Sequence, residues 1–289
     1  MSVLVDAQSR ILIQGITGET GRSFAERMVQ AGVLPPVAGV TPGRGGERVA
    51  GVPVFDSVSA AAKATGANVS LVTVPPIAVI EAVWEAAAAG LTLVSVYTEN
   101  VPVHDAARLI ALARERGTRV LGPNSAGAVS PSRANLSDID DRNTRPGTVG
   151  IVSKSGTLTY EVMDGLHQRG LGETSVVCLG GDPVLGTTHA DILRLFAADE
   201  ETQSMVMVGE IGGESEIEAA RGWNELGKPK QLVAYIAGHA APAGRRMGHA
   251  GALVSRGRDT AAYKTAALEA LGVRVAPLVL DVAELVTLG

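Results

Sequence analysis

The chain has 289 residues, 46% hydrophobic and 19% charged, which is enough for two domains with buried cores. A net charge of −5 offers nucleic acid no basic footprint, and the single cysteine excludes both an intramolecular disulfide and a multi-cysteine metal site. No segment approaches the roughly 18 unbroken apolar residues of a membrane span, and the first eight residues hold no apolar core of signal length, so a cytoplasmic protein is expected.

With 35 glycines and 3% aromatics, the composition fits an α/β protein with many tight strand-to-helix turns. Residues 10–14 (RILIQ) read as a strand, followed by the glycine turn GITGETG at 15–21 and a helix to about residue 31. Strand, glycine turn and helix together form a phosphate cradle, because the first amides of a helix lack intrahelical partners. A second strand at 36–40 ends in Thr41-Pro42-Gly43-Arg44, with no carboxylate before Glu47. A nicotinamide site usually places an acid near this point to hold the adenosine ribose. The cation suits a ligand with an extra ribose phosphate, either coenzyme A or NADP.

The alternation then repeats. Asp56 can cap a helix through residue 65, and strands are expected at 68–74, 91–97 and 119–121, with helices to about residue 89 and over 104–116. Such alternation predicts a doubly wound, mainly parallel sheet with its ligand at the carboxyl ends of the strands. Those ends carry the 15–21 turn, Thr41–Arg44, Val74-Pro75-Pro76 and Tyr97-Thr98-Glu99. The stretch 126–146 is rich in Ser, Asn, Asp, Arg and Pro and reads as an interdomain crossing between domains at 1–125 and 147–289. Asp138, Asp140 and Asp141 lack the spacing and glycine of a calcium loop and read as a solvated acidic segment, so no metal site is expected.

A second sheet opens with the strand at 148–153, and Lys154-Ser155-Gly156-Thr157 leads into a helix to about residue 169. This turn is able to hold an anion, although helix capping by Ser and Thr explains it equally well. Further strands are expected at 175–179, 204–209, 232–236 and 273–275, with Cys178 buried in the first of them. Glu210 follows the 204–209 strand and so stands at the active edge of the sheet. His249 lies beyond the next strand, in Gly244-Arg245-Arg246-Met247-Gly248-His249-Ala250-Gly251. Glycines on both sides and two arginines upstream suit a histidine that exchanges a phosphoryl group. A carboxylate such as Glu210 can hold one imidazole nitrogen and leave the other free to attack. His239 lacks the glycine frame, and His104, His167 and His189 read as structural.

The motifs GITGETG, VTPGRGG, GPN, GIVSKSGTLTYE, GGDP, GEIGG, YIAG and RRMGHAGA occur in the order and approximate spacing of succinyl-CoA synthetase α-subunits, and the chain resembles that family over essentially its whole length. The resemblance implies a Rossmann-like CoA-binding domain followed by a flavodoxin-like ligase domain. It implies His249 as the phosphorylated histidine and Glu210 as the residue that positions it. Thr17, Gly18, Glu19 and Thr20 would hold the CoA phosphates, with Arg44 where the family usually has lysine. Val74, Pro75, Tyr97, Thr98 and Glu99 would line the rest of the CoA site. Ser155, Gly156 and Thr157 would bind the phosphoryl oxygens, and Tyr160 the carboxylate substrate. A β-subunit with an ATP-grasp domain, carrying ATP or GTP and Mg²⁺, is implied as partner.

Two departures bear on the acid that is activated. Ser125-Ala126 replaces the family's usual cysteine and proline after GPN, and NLSDIDDRNTR lacks its common glycine- and histidine-containing pattern. Ligation of malate or another di- or tricarboxylate, a non-catalytic CoA-binding regulatory subunit, and an NADP-dependent oxidoreductase stand as alternatives.

Overall fold

The computed structural model describes residues 2–242, 247–253 and 257–287. Short apolar runs between glycine turns form strands buried on both faces, as in parallel sheets covered by helices. The first half supplies β1 (Ile11–Gln14), β2 (Ala38–Val40), β3 (Arg48–Val49), β4 (Val52–Phe55), β5 (Val69–Val72), β6 (Leu93–Val96) and β7 (Arg119–Leu121). They form one sheet in the order β3-β4-β2-β1-β5-β6-β7, in which only β3 and β4 pair antiparallel. The helices are α1 (Glu19–Ala31), α2 (Val58–Thr65), α3 (Val79–Ala88) and α4 (Val103–Glu115). From β1 the chain moves to β2 on one side and later to β5 on the other. The crevice expected where strand order reverses therefore opens beyond Gln14, which is level with Val40 and Val72.

Asp56 does not cap α2. Ser57 accepts the Ala60 amide at 3.2 Å, while Asp56 accepts from Gly45 at 2.8 Å. The acid is drawn back to fix the loop after β2, and a hydroxyl serves the helix equally well.

The second half supplies β8 (Gly127–Ser130), β9 (Ala134–Ser137), β10 (Pro146–Ser153), β11 (Glu173–Cys178), β12 (Ser204–Glu210), β13 (Gln231–Ala237) and β14 (Arg274–Val275). Its sheet runs β14-β13-β12-β10-β11-β8-β9, parallel from β14 to β11. Helices α5 (Gly156–Gln168), α6 (His189–Ala198), α7 (Ser215–Glu225), α8 (Ala261–Ala270) and α9 (Val282–Leu285) accompany it. Strand β10 has β11 on one side and β12 on the other, which sets a second switch point between β10 and β12. The expected α/β class, two mainly parallel sheets with alternating helices, is what the chain adopts.

The segment read as an irregular crossing contains β8 and β9, an antiparallel pair joined to β11. Both strands are buried despite their polar composition. Ser130 Oγ bonds Val5 O at 2.8 Å and meets Ser175 Oγ at 2.9 Å, and Asn135 Nδ2 donates to Ile139 O at 2.8 Å. Side chains that satisfy one another inside the protein erase the apolar signature of a strand.

These contacts also tie the halves together. One apolar cluster includes Phe24, Leu93 and Leu121 of the first half and Leu136, Leu179 and Phe196 of the second. From α1, the Arg27 guanidinium donates to the carbonyls of Ser137 and Ile139. The carboxyl edges of the two sheets are thereby held around a common space.

Candidate functional site

His249 owes its position to glycines on two elements. Gly248 takes φ +77°, a conformation that side chains disfavour. Across from it, a Cβ on Gly181 would overlap the His249 ring, so only glycine leaves room for the imidazole. The Gly251 amide donates to Gly181 O at 2.9 Å and closes the contact. The imidazole Nδ1 lies 2.7 Å from Oε2 of Glu210, the last residue of β12. A carboxylate accepts, so Nδ1 carries the proton and Nε2 keeps its lone pair. The bond to Glu210 raises the imidazole above its ordinary value, against the desolvation of a partly buried ring.

His249 opens onto a cavity of about 950 Å³ between the two sheets. The α1 end contributes Gly18, Glu19 and Thr20. The ends of β5 and β6 contribute Val74, Pro75, Tyr97, Thr98 and Glu99, and the start of α5 contributes Ser155, Gly156, Thr157 and Tyr160. A second cavity of about 790 Å³ shares Gly18, Thr73, Val74 and Pro75 with the first. It extends over Thr17, Val40, Pro42, Ala82 and Trp84, a mainly apolar wall. Backbone lines the second space at Gly15, which takes φ +84°, and Gly21 packs α1 onto this turn because it has no room for a Cβ against Gly15 O.

Nearly every candidate residue from the sequence thus lies on one of two adjoining cavities. Glu210 and Arg44 are the exceptions, and Glu210 reaches the larger cavity through its bond to His249. The exposed guanidinium of Arg44 is paired with Glu47, Nη2 standing 2.8 Å from Oε2, and it lies on neither cavity wall. The acid three residues on partners the arginine instead of leaving it free. Ser155 Oγ accepts the Leu158 amide at 3.2 Å and caps α5, so its hydroxyl already has one partner. The Tyr160 hydroxyl accepts the Asp140 amide at 3.2 Å, tying α5 to the segment after β9, and burial raises its pKa. Arg245 and Arg246 lie outside the described residues. His239 and His104 are exposed, His167 Nε2 sits 2.7 Å from Glu173, and His189 is fully buried. Among the described residues no group of His, Cys, Asp and Glu could hold a metal ion. Burial pushes the Cys178 thiol up to about 12, leaving it inert. No helix among the described residues is long and apolar enough to cross a membrane.

The sequence reading assigned no role to Lys154, Asp138 or Asp182. Lys154 and Asp138 line the larger cavity. Asp182 lies beside His249 and Asn124, and burial raises its carboxyl. Their signal was position alone, since Lys154 and Asp182 follow strands at the active edge.

The residues 6–100 match the family described as CoA binding domain, and 152–274 match the family described as CoA-ligase. A succinate–CoA ligase [ADP-forming] subunit alpha 2 of Archaeoglobus fulgidus is 46% identical over 286 residues, 99% of each chain. The corresponding alpha subunit of Staphylococcus aureus is 43% identical, covering 96% of this chain and 91% of its own. An ATP citrate lyase from Methanothrix soehngenii, solved with citrate and coenzyme A, superposes with a TM-score of 0.89 at 25% identity. That match covers 98% of this chain and 49% of the lyase chain. A dinucleotide-forming acetyl-coenzyme A synthetase of Ca. Korarchaeum cryptofilum shares the fold, with a TM-score of 0.76 at 20% identity over 96% of this chain and 60% of its own.

Proposed function

The chain belongs to the family of succinate–CoA ligase α-subunits, and from that premise we propose that it activates succinate through a phosphohistidine at His249. The observation that carries this reading is the Glu210–His249 pair, with Nδ1 and Oε2 at 2.7 Å, on a cavity shared with two helix N-termini. Glu210 accepts the Nδ1 proton, so Nε2 presents its lone pair to phosphorus. Attack forms the N–P bond while the P–O bond to the leaving oxygen breaks and its electron pair departs with that oxygen. In the next step a succinate carboxylate oxygen attacks phosphorus, the N–P bond breaks, and Nε2 recovers its pair. The resulting acyl phosphate passes its acyl group to a thiolate and releases phosphate. A histidine relay divides one crowded three-reactant step into smaller ones.

The CoA binding domain of the first half fits coenzyme A by the chemistry of its walls. Glycine turns let backbone amides approach phosphates, and the apolar second cavity suits a flat ring. Thr17, Gly18, Glu19, Thr20, Val74, Pro75, Tyr97, Thr98 and Glu99 would hold it, and when bound it supplies the thiol. Gly156 and Thr157, at the start of α5, would take phosphoryl oxygens through first-turn amides that have no helical partner. Tyr160 would stand beside the acid. Because its relatives are named as alpha subunits, the chain is proposed to work with a β-subunit whose ATP-grasp domain brings ATP or GTP and Mg²⁺, in the cytoplasm. Its likeness to ligase α-subunits over 99% of the chain does not favour the regulatory, NADP-dependent or other-carboxylate readings.

The test is to incubate the chain and its partner subunit with γ-labelled nucleotide. Label on this chain should survive alkali and be lost in acid, as an N–P bond requires. His249→Ala should abolish label and turnover, and His239→Ala should keep both. Acid-stable label, or turnover by His249→Ala, would refute the relay.

A further inference from the structure

We infer that Lys154 is the cation that meets the phosphoryl group at His249, and that Glu216 and Lys264 hold it there. The inference rests on the phosphohistidine reading above and adds a residue to it. The wall of the 950 Å³ cavity carries three carboxylates, Glu19, Glu99 and Asp138. Lys154 is the only lysine or arginine among the described residues on that wall. A phosphoryl group and a dicarboxylate are both anions, and a cavity walled by carboxylates repels them unless a fixed cation offsets the repulsion.

The way Lys154 is held fits that task. It follows β10 directly, at the switch point between β10 and β12, one residue before the cap of α5. Its Nζ lies 3.0 Å from Oε1 of Glu216, and its side chain is 13% exposed. Glu216 is fully buried at the start of α7 and also pairs with Lys264, whose Nζ lies 2.6 Å from Oε2. Lys264 spends its other two hydrogens on Glu210 O at 2.6 Å and Gly212 O at 2.7 Å. Every donor of Lys264 is therefore consumed inside the protein, on the backbone that carries the Glu210 carboxylate.

Two ammonium groups share the buried Glu216 carboxylate, one on each of its oxygens. Lys264 is sealed, whereas Lys154 lines the cavity, and its ion pair with Glu216 leaves two N–H groups for a ligand. Lys154, the start of α5 at Gly156 and Thr157, and the His249 ring line the same cavity. During transfer Lys154 keeps its proton and makes no covalent bond. It stabilises the oxygens around phosphorus while the N–P bond forms and the P–O bond breaks. Lys264 and Glu216 act through others, as positioning residues for Lys154 and for Glu210.

The test uses the chain with its partner subunit and γ-labelled ATP. Lys154→Met keeps the length of the stem and leaves Glu216 paired with Lys264. It should slow labelling of His249 by about 100-fold, the scale on which a single lost electrostatic donor acts, while leaving CoA binding within about twofold. Lys154→Arg, which retains the charge, should recover labelling to within about tenfold of wild type. Should the Met variant melt early, Lys154→Gln is read in its place, because its amide can still bond Glu216. Wild-type labelling by the neutral variant overturns the role of Lys154, as does a parallel loss of labelling and CoA binding that Arg does not rescue. A wild-type chain that takes no label overturns the phosphohistidine reading itself, before any variant is made.

Discussion

Oε2 of Glu210 lies 2.7 Å from Nδ1 of His249, across 39 residues of sequence, and this bond both orients the imidazole and raises its pKa. Attack by Nε2 requires the neutral ring. As pH falls through the raised pKa, the neutral fraction falls, so labelling should show an acid limb centred above the ordinary imidazole value of about 6.5. Glu210→Gln removes the charge and weakens the bond, so the limb should move to lower pH. The plateau rate should drop by about 10-fold or more, as when a histidine loses its orienting carboxylate. A pH profile of the labelling rate in both proteins decides it, and an unmoved limb would show that Glu210 does not govern the ring.

Gly181 is the second support of His249. A Cβ there would overlap the imidazole, so Gly181→Ala should displace the ring from Glu210 without touching either carboxylate. Since the clash falls on a side chain at the cavity rather than in the core, the melting temperature should change little. Labelling should fall by about 100-fold, the cost of a small misplacement of a reacting group. Labelling at the wild-type rate would mean that the loop carrying His249 accommodates the methyl group with the pair intact.

The pairing of His249 with Glu210 was legible because a parallel α/β sheet gathers the carboxyl ends of its strands, and both residues follow such ends. The alternation of strands and helices was legible for the same reason. Lys264 and Glu216 were not, since their bond spans 48 residues and joins two helices whose sequences give no sign of a buried charge. Polar strands β8 and β9 were read as loop because Ser130, Asn135 and Ser137 satisfy their hydrogen bonds internally. Arg44 was read as a free cation, because a sequence does not show that Glu47, one loop turn later, folds back onto it.

That pair reshapes the expectation for Arg44. A guanidinium already bound to Glu47 must exchange that partner before it meets a ribose phosphate, so its net contribution is small, as for exposed ion pairs. Arg44→Ala should weaken CoA binding by no more than about fivefold. Glu47→Ala frees the cation and should tighten CoA more than dephospho-CoA. Calorimetric titration of both ligands against both variants provides the comparison. Equal effects on CoA and dephospho-CoA would place the ribose phosphate away from this loop.

The buried charges under the site predict how the fold responds to acid. His189 sits at the start of α6 with Nε2 3.3 Å from Val208 O and Nδ1 3.5 Å from Ser215 Oγ. Burial is the main cause that lowers its pKa from 6.5 to about 4. Below about pH 6.5 the unfolded chain binds a proton that the folded chain refuses, so stability must fall as pH falls, until the folded ring protonates near 4. The full loss is on the order of 3 kcal/mol. Glu216 adds a second stage. Burial works to raise its carboxyl, but Lys154, His189 and Lys264 outweigh it and hold it at about 2. Its contribution is therefore present above the ordinary carboxylate range and is lost as pH drops from about 4.5 toward 2. His189→Gln keeps an amide that can donate to Val208 O and removes the titrating group. Between pH 7 and 5 the urea midpoint of wild type should fall relative to that of His189→Gln, because the raised His249 imidazole acts on both alike, and both should decline below 4.5 as Glu216 and the other carboxylates protonate. Parallel decline of the two proteins from pH 7 onward would show that His189 takes up its proton in the folded state as readily as in the unfolded one.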